Sequence, residues 1–175
     1  MAEYELDTSQ LPSFAKKLYA GDRVILSGVA YTARDAAHSE LSTLLDRGEM
    51  LPFDLRGATV YYAGPTEAPP NLPIGSCGPT TSSRMDAFSP RLLDLGLCCM
   101  IGKGPRSEDV VAAMIRNNAV YLCAIGGAGA LAAKCISSCE VVAFSELGCE
   151  SIKKIKFNHF PVIVGIDAGG SSIFK

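Results

Sequence analysis

Residues 75–86, Gly-Ser-Cys-Gly-Pro-Thr-Thr-Ser-Ser-Arg-Met-Asp, crowd hydroxyls, a thiol and a guanidinium into one short stretch. The composition suits neither a core strand nor a helix interior. Gly and Pro bend the backbone, and Ser and Thr compete with it for hydrogen bonds or cap helices. A loop whose N–H groups, hydroxyls and guanidinium face one point holds an anion, a carboxylate or a phosphate. The plainer alternative is a solvated turn followed by a capped helix. Two further cations, Arg34 and Lys103, each follow an apolar run. In α/β sheets, sites form where loops leave strand ends. Together with Arg84 they suit a small dicarboxylate, each carboxylate facing a positive group.

His38 lies one helical turn beyond Arg34, with Asp35 between them. His38 could orient a carboxylate or act as acid or base; an Asp35–His38 pair on a helix surface fits the spacing equally well. His159 reads as a loop residue without a role. Gly127-Ala128-Gly129-Ala130-Leu131-Ala132 matches G-x-G-x-x-A after an apolar run, and Glu146 falls near the acidic position that a nucleotide ribose requires. A nucleotide-binding domain using Gly127 and Gly129 is therefore the rival function of a different class. Close helix-on-strand packing accounts for the same glycines.

The 175 residues carry a net charge of −2 and are 48% hydrophobic. That length and apolar content support a packed core in one domain, residues 1–175. The charge offers no electrostatic case for nucleic acid or an anionic membrane, so a bound anion needs a local cationic cluster. Seven cysteines, an odd number set largely in apolar segments, argue against a secreted disulfide scaffold. No Cys-x-x-Cys pair occurs; Cys135 and Cys139 have the nearest metal-like spacing, without a second pair or a histidine close by. No metal site is expected on this chain. The acidic start differs from a secretory leader, and the run 119–133 is too short and glycine-rich to span a bilayer. A cytoplasmic protein is expected.

Behind the candidate residues, 23–31 reads as a strand, and Thr32 with Asp35 resembles a capping box opening a helix that stops at Gly48. Arg34 then falls in the first turn, where a cation opposes the helix dipole. Residues 58–63 read as a strand, and Thr80 or Thr81 as the cap of a short helix, followed by another at 90–95. From 97 the pattern alternates: strands at 97–101, 119–125, 140–144 and 161–167, with helices opened by Ser107 and at 128–136. The pattern predicts an α/β fold with a mixed, partly parallel sheet.

The combination resembles the beta subunit of two-subunit class I fumarases and L(+)-tartrate dehydratases, the same module as the C-terminal domain of single-chain class I fumarases. The resemblance runs from residue 12 to 175. It rests on Ala33-Arg34-Asp35-Ala36-Ala37-His38, Tyr62-Ala63-Gly64-Pro65, Gly78-Pro79-Thr80-Thr81-Ser82-Ser83-Arg84-Met85-Asp86, Lys103-Gly104, Gly126-Gly127 and Glu146-Leu147-Gly148. Ser83, where many relatives have glycine, and Ser151 after Glu150 depart from the pattern.

The resemblance implies a swivelling β/β/α fold. It further implies an iron–sulfur hydro-lyase active only with an alpha subunit, which holds a [4Fe–4S] cluster that this chain does not bind. The implied reaction is reversible hydration of fumarate to L-malate; the alternative is dehydration of L(+)-tartrate to oxaloacetate. Carried over residue by residue, Arg34, Arg84 and Lys103 bind substrate carboxylates, Thr80 is the base at carbon, and Asp35 and His38 orient Arg34. A heterotetramer with the alpha subunit, or a homodimer when isolated, is expected on the same ground.

Overall fold

The structure, a computed structural model, describes residues 1–174. In chain order the elements are β1 (Glu3–Asp7), α1 (Leu11–Phe14), β2 (Arg23–Thr32), α2 (Asp35–Asp46), β3 (Thr59–Tyr61), α3 (Ser89–Asp94), β4 (Cys99–Gly102), α4 (Glu108–Asn117), β5 (Val120–Cys123), α5 (Gly129–Lys134), β6 (Ile136–Ala143) and β7 (Ile152–Ile166). The sheet order is β1-β2-β3-β4-β5-β7-β6, and a further β2–β7 pairing closes β2, β3, β4, β5 and β7 into a barrel. Strands β1 to β5 pair in parallel, while β7 runs antiparallel to β2, β5 and β6. The expected mixed α/β sheet is present.

Alternation along the short strands divides the core into two layers, because successive side chains point to opposite faces. Tyr61, Cys99, Ile101, Val120 and Leu122 join Leu26, Phe157, Phe160 and Val164 in one cluster. Val60, Tyr62, Met100 and Tyr121 face the other way, against Leu41 of α2, Leu92 and Leu93 of α3, and Val110 and Met114 of α4. Buried on both faces, β3, β4 and β5 read as continuous apolar runs in the sequence. Strand β7 is long enough to pair β2 along most of its length and then reach β5.

Several boundaries differ from expectation. Thr32 does not cap α2. It is the buried last residue of β2, and its hydroxyl accepts from the Lys153 N–H at 3.1 Å. Helix α2 begins at Asp35 with Arg34 as its N-cap residue and ends before Gly48, whose φ of +68° turns the chain out of the helix. The helix expected after Thr80 or Thr81 is one 3-10 turn, Ser82–Met85, with Thr81 at the N-cap position but without a side-chain cap. Ser107 caps α4 through a hydrogen bond from the Val110 N–H. Strand β1 and the first half of β7 lie outside the expected strands. His159 belongs to β7, at an irregularity where its φ is +54°.

Candidate active site

Parallel strands β2, β3, β4 and β5 all end at one edge of the barrel, and the residues that follow them include the candidates. Arg34 comes two residues after β2, Gly64 three after β3, Lys103 directly after β4 and Gly126 three after β5. The segment 79–82 lies across the ends of β3 and β4. Pro79 bridges Ala63, the Thr80 N–H donates to the Tyr62 carbonyl at 2.7 Å, and Thr81 bridges Lys103. Ser82 and Lys103 then exchange two hydrogen bonds: Ser82 N–H to the Lys103 carbonyl at 3.0 Å, and Lys103 N–H to Ser82 Oγ at 3.0 Å. Thr80 is thereby held between two strand ends.

Glycines let the long cations lie down on the backbone. A Cβ on Gly64 would stand 3.0 Å from Arg34 Cδ, and one on Gly126 would stand 3.3 Å from Lys103 Cδ. Those approaches are tighter than ordinary packing, so side chains at 64 and 126 would displace Arg34 and Lys103. Gly75 also sits in the loop without room for a Cβ, against the Glu67 and Thr66 backbone.

The electrostatic surroundings of the candidates differ. The Arg34 guanidinium pairs with Glu150 at 3.0 Å and with Asp35 at 3.5 Å, leaving its buried Nε without a partner. Glu150 also accepts from the Ala36 N–H at 3.2 Å, at the N-terminus of α2. A carboxylate there complements the helix dipole and offsets the unfavourable placement of Arg34. Arg84 is exposed and Lys103 half-buried; neither makes an ion pair among the described residues. The half-buried Thr80 hydroxyl is likewise without a protein hydrogen bond there.

His38 does not pair with Asp35 on the surface of α2. It is 1% exposed, and its ring packs edge-on against Tyr62 with centroids 5.4 Å apart. Nδ1 lies 2.8 Å from the Arg34 carbonyl. A carbonyl only accepts, so Nδ1 carries a proton. Nε2 is buried without a partner. Burial pushes the His38 pKa down to about 4, against an opposing contribution from the Arg34 hydrogen bond. The ring therefore fixes the backbone of Arg34 and is withheld from surface acid–base work.

Sequence reasoning missed the group beneath the loop. The Arg106 side chain has no exposure, and its Nε donates to Asp86 at 2.7 Å. One NH2 donates to Ser89 Oγ at 2.7 Å, and the guanidinium stacks over Tyr62 and Tyr121 at 5.2 and 5.1 Å. The other Asp86 oxygen accepts from the Ser107 N–H at 2.7 Å. This buried pair ties the end of the Arg84 turn to the loop after β4. Glu150, which pairs with Arg34 across the fold and accepts from Ala36 114 residues before it, was missed as well. Neither pairing leaves a spacing signal in the chain.

The glycine motif has a packing explanation. A Cβ on Gly129 would overlap Ser76 Oγ and lie 2.9 Å from the Gly78 nitrogen, and the Gly129 carbonyl accepts from the Cys77 N–H at 3.0 Å. Helix α5 therefore starts against the backbone of the 75–86 loop. Glu146 is exposed in the 3-10 segment Ser145–Glu150. Among the described residues no group of three or more His, Cys, Asp or Glu side chains is arranged to hold a metal ion. All seven thiols are free, and burial pushes Cys77 and Cys98 up to about 12 and Cys123 up to about 11. Such thiols are poor thiolate donors. No helix of the described residues is long and apolar enough to cross a membrane.

Comparison with known proteins shows what the chain is similar to. The anaerobic class I fumarate hydratase of Escherichia coli K12 is 40% identical over 155 residues, 87% of this chain and 28% of that protein. Fumarate hydratase 2 of Leishmania major is 38% identical over 161 residues, 89% of this chain and again 28% of the relative. A putative L(+)-tartrate dehydratase subunit beta from Methanocaldococcus jannaschii is 38% identical over 166 residues, 91% of this chain and 85% of that subunit. The chain thus spans under a third of the length of these fumarate hydratases, but nearly all of the tartrate dehydratase subunit. The family described as Fumarase C-terminus matches residues 1–175, and the chain belongs to it.

Proposed function

We propose that this chain is the beta subunit of a hydro-lyase that interconverts fumarate and L-malate, and that it holds the dicarboxylate against a partner alpha subunit. What supports the reading is that Arg34, Thr80 and Lys103 lie at or beside the ends of parallel strands that share one edge of the barrel, with Arg84 one turn beyond Thr80. Among the described residues Arg84 and Lys103 are cations without counterions, and Arg34 has an unpartnered Nε. A dianion of four carbons supplies what they lack.

In this reading Arg34, Arg84 and Lys103 bind the two carboxylates. Thr80 takes the proton from the carbon beside the hydroxyl-bearing one, and in the hydration direction returns it. A threonine performs that task only with its alkoxide stabilised, and Arg84 is the nearby charge that does so. Asp35 and His38 keep Arg34 in place, through its guanidinium and its carbonyl. The cysteines of this chain do not fit an iron–sulfur cluster, so the [4Fe–4S] group implied by the resemblance is assigned to the alpha subunit, and no step is routed through it. The finer fold description, a swivelling β/β/α domain over residues 1–175, belongs to the same proposal. So do a cytoplasmic location and a heterotetramer of two alpha and two beta subunits, or a homodimer of the isolated chain.

L(+)-tartrate is the second reading, favoured by the near-complete coverage of the tartrate dehydratase subunit. It uses the same carboxylate contacts and yields oxaloacetate. Replacing Arg84 by Ala in the reconstituted complex tests the shared site. Turnover should be lost while assembly and stability are kept, since the side chain is exposed and makes no ion pair among the described residues. Turnover equal to wild type would refute the role.

A further inference from the structure

Tyr121 reaches the candidate site without touching it. Its ring is fully buried on β5, under the Arg106 guanidinium, and its hydroxyl lies 2.9 Å from the Gly104 carbonyl and 2.8 Å from Ser82 Oγ. The carbonyl only accepts, so the Tyr121 O–H donates to it. The Ser82 O–H then donates to Tyr121, and Ser82 Oγ accepts from the Lys103 N–H at 3.0 Å. One directional chain results: Lys103 N–H to Ser82, Ser82 to Tyr121, Tyr121 to Gly104. Every hydrogen in it is used, and both ends lie in the Lys103-Gly104 turn. Gly104 has φ +81°, so this turn takes a left-handed step directly after the cation.

The notch that receives Ser82 exists because residue 102 lacks a side chain. A Cβ on Gly102 would overlap Ser82 Oγ and lie 2.9 Å from Tyr62 Cδ2. Ser82 in turn is two residues from Thr80 and donates its own N–H to the Lys103 carbonyl. The chain of hydroxyls thus locks the segment carrying Thr80 to the turn carrying Lys103.

We infer that Tyr121 and Ser82 are positioning residues that set the placement of the Lys103 ammonium relative to Thr80. The inference rests on the substrate role proposed for Lys103. Misplacement on the scale of an ångström costs up to about a hundredfold in rate, so Tyr121→Phe should lower kcat/KM by between about tenfold and a hundredfold. The effect is transmitted through Lys103, which distinguishes it from a general loss of stability.

The test is a double-mutant cycle on the complex with its alpha subunit, assayed with L-malate and L-tartrate. Tyr121→Phe should be costly in the wild-type background and change kcat/KM by less than about twofold on top of Lys103→Ala. Equal fold losses in both backgrounds, or a fully active Tyr121→Phe, would overturn the inference while leaving the site reading in place. A fully active Lys103→Ala would overturn the site reading itself and the inference with it. Should Tyr121→Phe fail to assemble, Ser82→Ala breaks the same chain at its centre and enters the same cycle. Hydrogen exchange on the full chain gives a readout independent of turnover: the Lys103 amide should exchange faster in Ser82→Ala than in wild type, and an unchanged rate would count against the lock.

Discussion

His38 should make the protein lose stability between pH 6.5 and about 4. The ring is enclosed between α2, Tyr62 and Phe88, with Arg106 contributing repulsion and Asp35 attraction to a proton. Burial is the largest cause, and it lowers the pKa from 6.5 to about 4. Above pH 6.5 the ring is neutral in the folded and unfolded chain alike, and the full stability is present. Between the two values the unfolded chain takes up a proton that the folded chain refuses, so stability falls as pH falls; below about 4 this group adds no further loss. At 1.36 kcal/mol per pH unit, the interval is worth roughly 3 kcal/mol. Urea denaturation at half-unit steps from pH 7 to pH 4 measures it, with His38→Asn as reference. Asn can still donate to the Arg34 carbonyl but does not titrate. Asp22 and Asp94, whose pKa values are lowered by the hydrogen bonds of Ala2 and Arg116, titrate in both proteins and cancel in the comparison. Wild type should lose about 3 kcal/mol more than the variant across the window. Parallel curves would refute the buried, neutral assignment.

Two further outcomes follow from the same geometry. Asp86→Ala should lower stability by about 3 to 5 kcal/mol in denaturant titration, because it strands the fully buried Arg106 guanidinium and releases the Ser107 N–H. Thr80→Ala should lower kcat by on the order of 10²-fold or more with a smaller change in KM, read from steady-state kinetics of the complex. A rise in KM alone would make Thr80 a binding residue and place the base elsewhere.

The legible parts of the site are those made by local chemistry. Apolar runs ending in Gly or a cation mark β2, β4 and β5 and so bring Arg34, Lys103 and Gly126 to one edge. The 75–86 loop announces itself by composition. Arg106 was invisible because Gly-Pro-Arg-Ser reads as an exposed turn, and its partner Asp86 stands twenty residues away with no periodic relation. Glu150 and Arg34 meet only through the tertiary fold. Strand β7 was half legible: Ile152, Ile155 and Phe157 are buried among lysines, and the positive φ at His159 interrupts the alternation on which a strand reading depends. Of the two readings that the Asp35–His38 spacing left open, the surface pair does not form, because α2 turns that face toward Tyr62. Thr32 has the right chemistry for a cap, but the β-sheet claims its residue and its hydroxyl.

The central claim is that this chain holds a four-carbon dicarboxylate for removal of water. The most direct measurement is turnover of L-malate and L-tartrate, side by side, by the anaerobically purified complex of this chain with its alpha subunit. Fumarate from malate is the outcome expected here, and oxaloacetate from tartrate alone would keep the site while changing the substrate. A complex with an intact cluster that dehydrates neither acid would contradict the account.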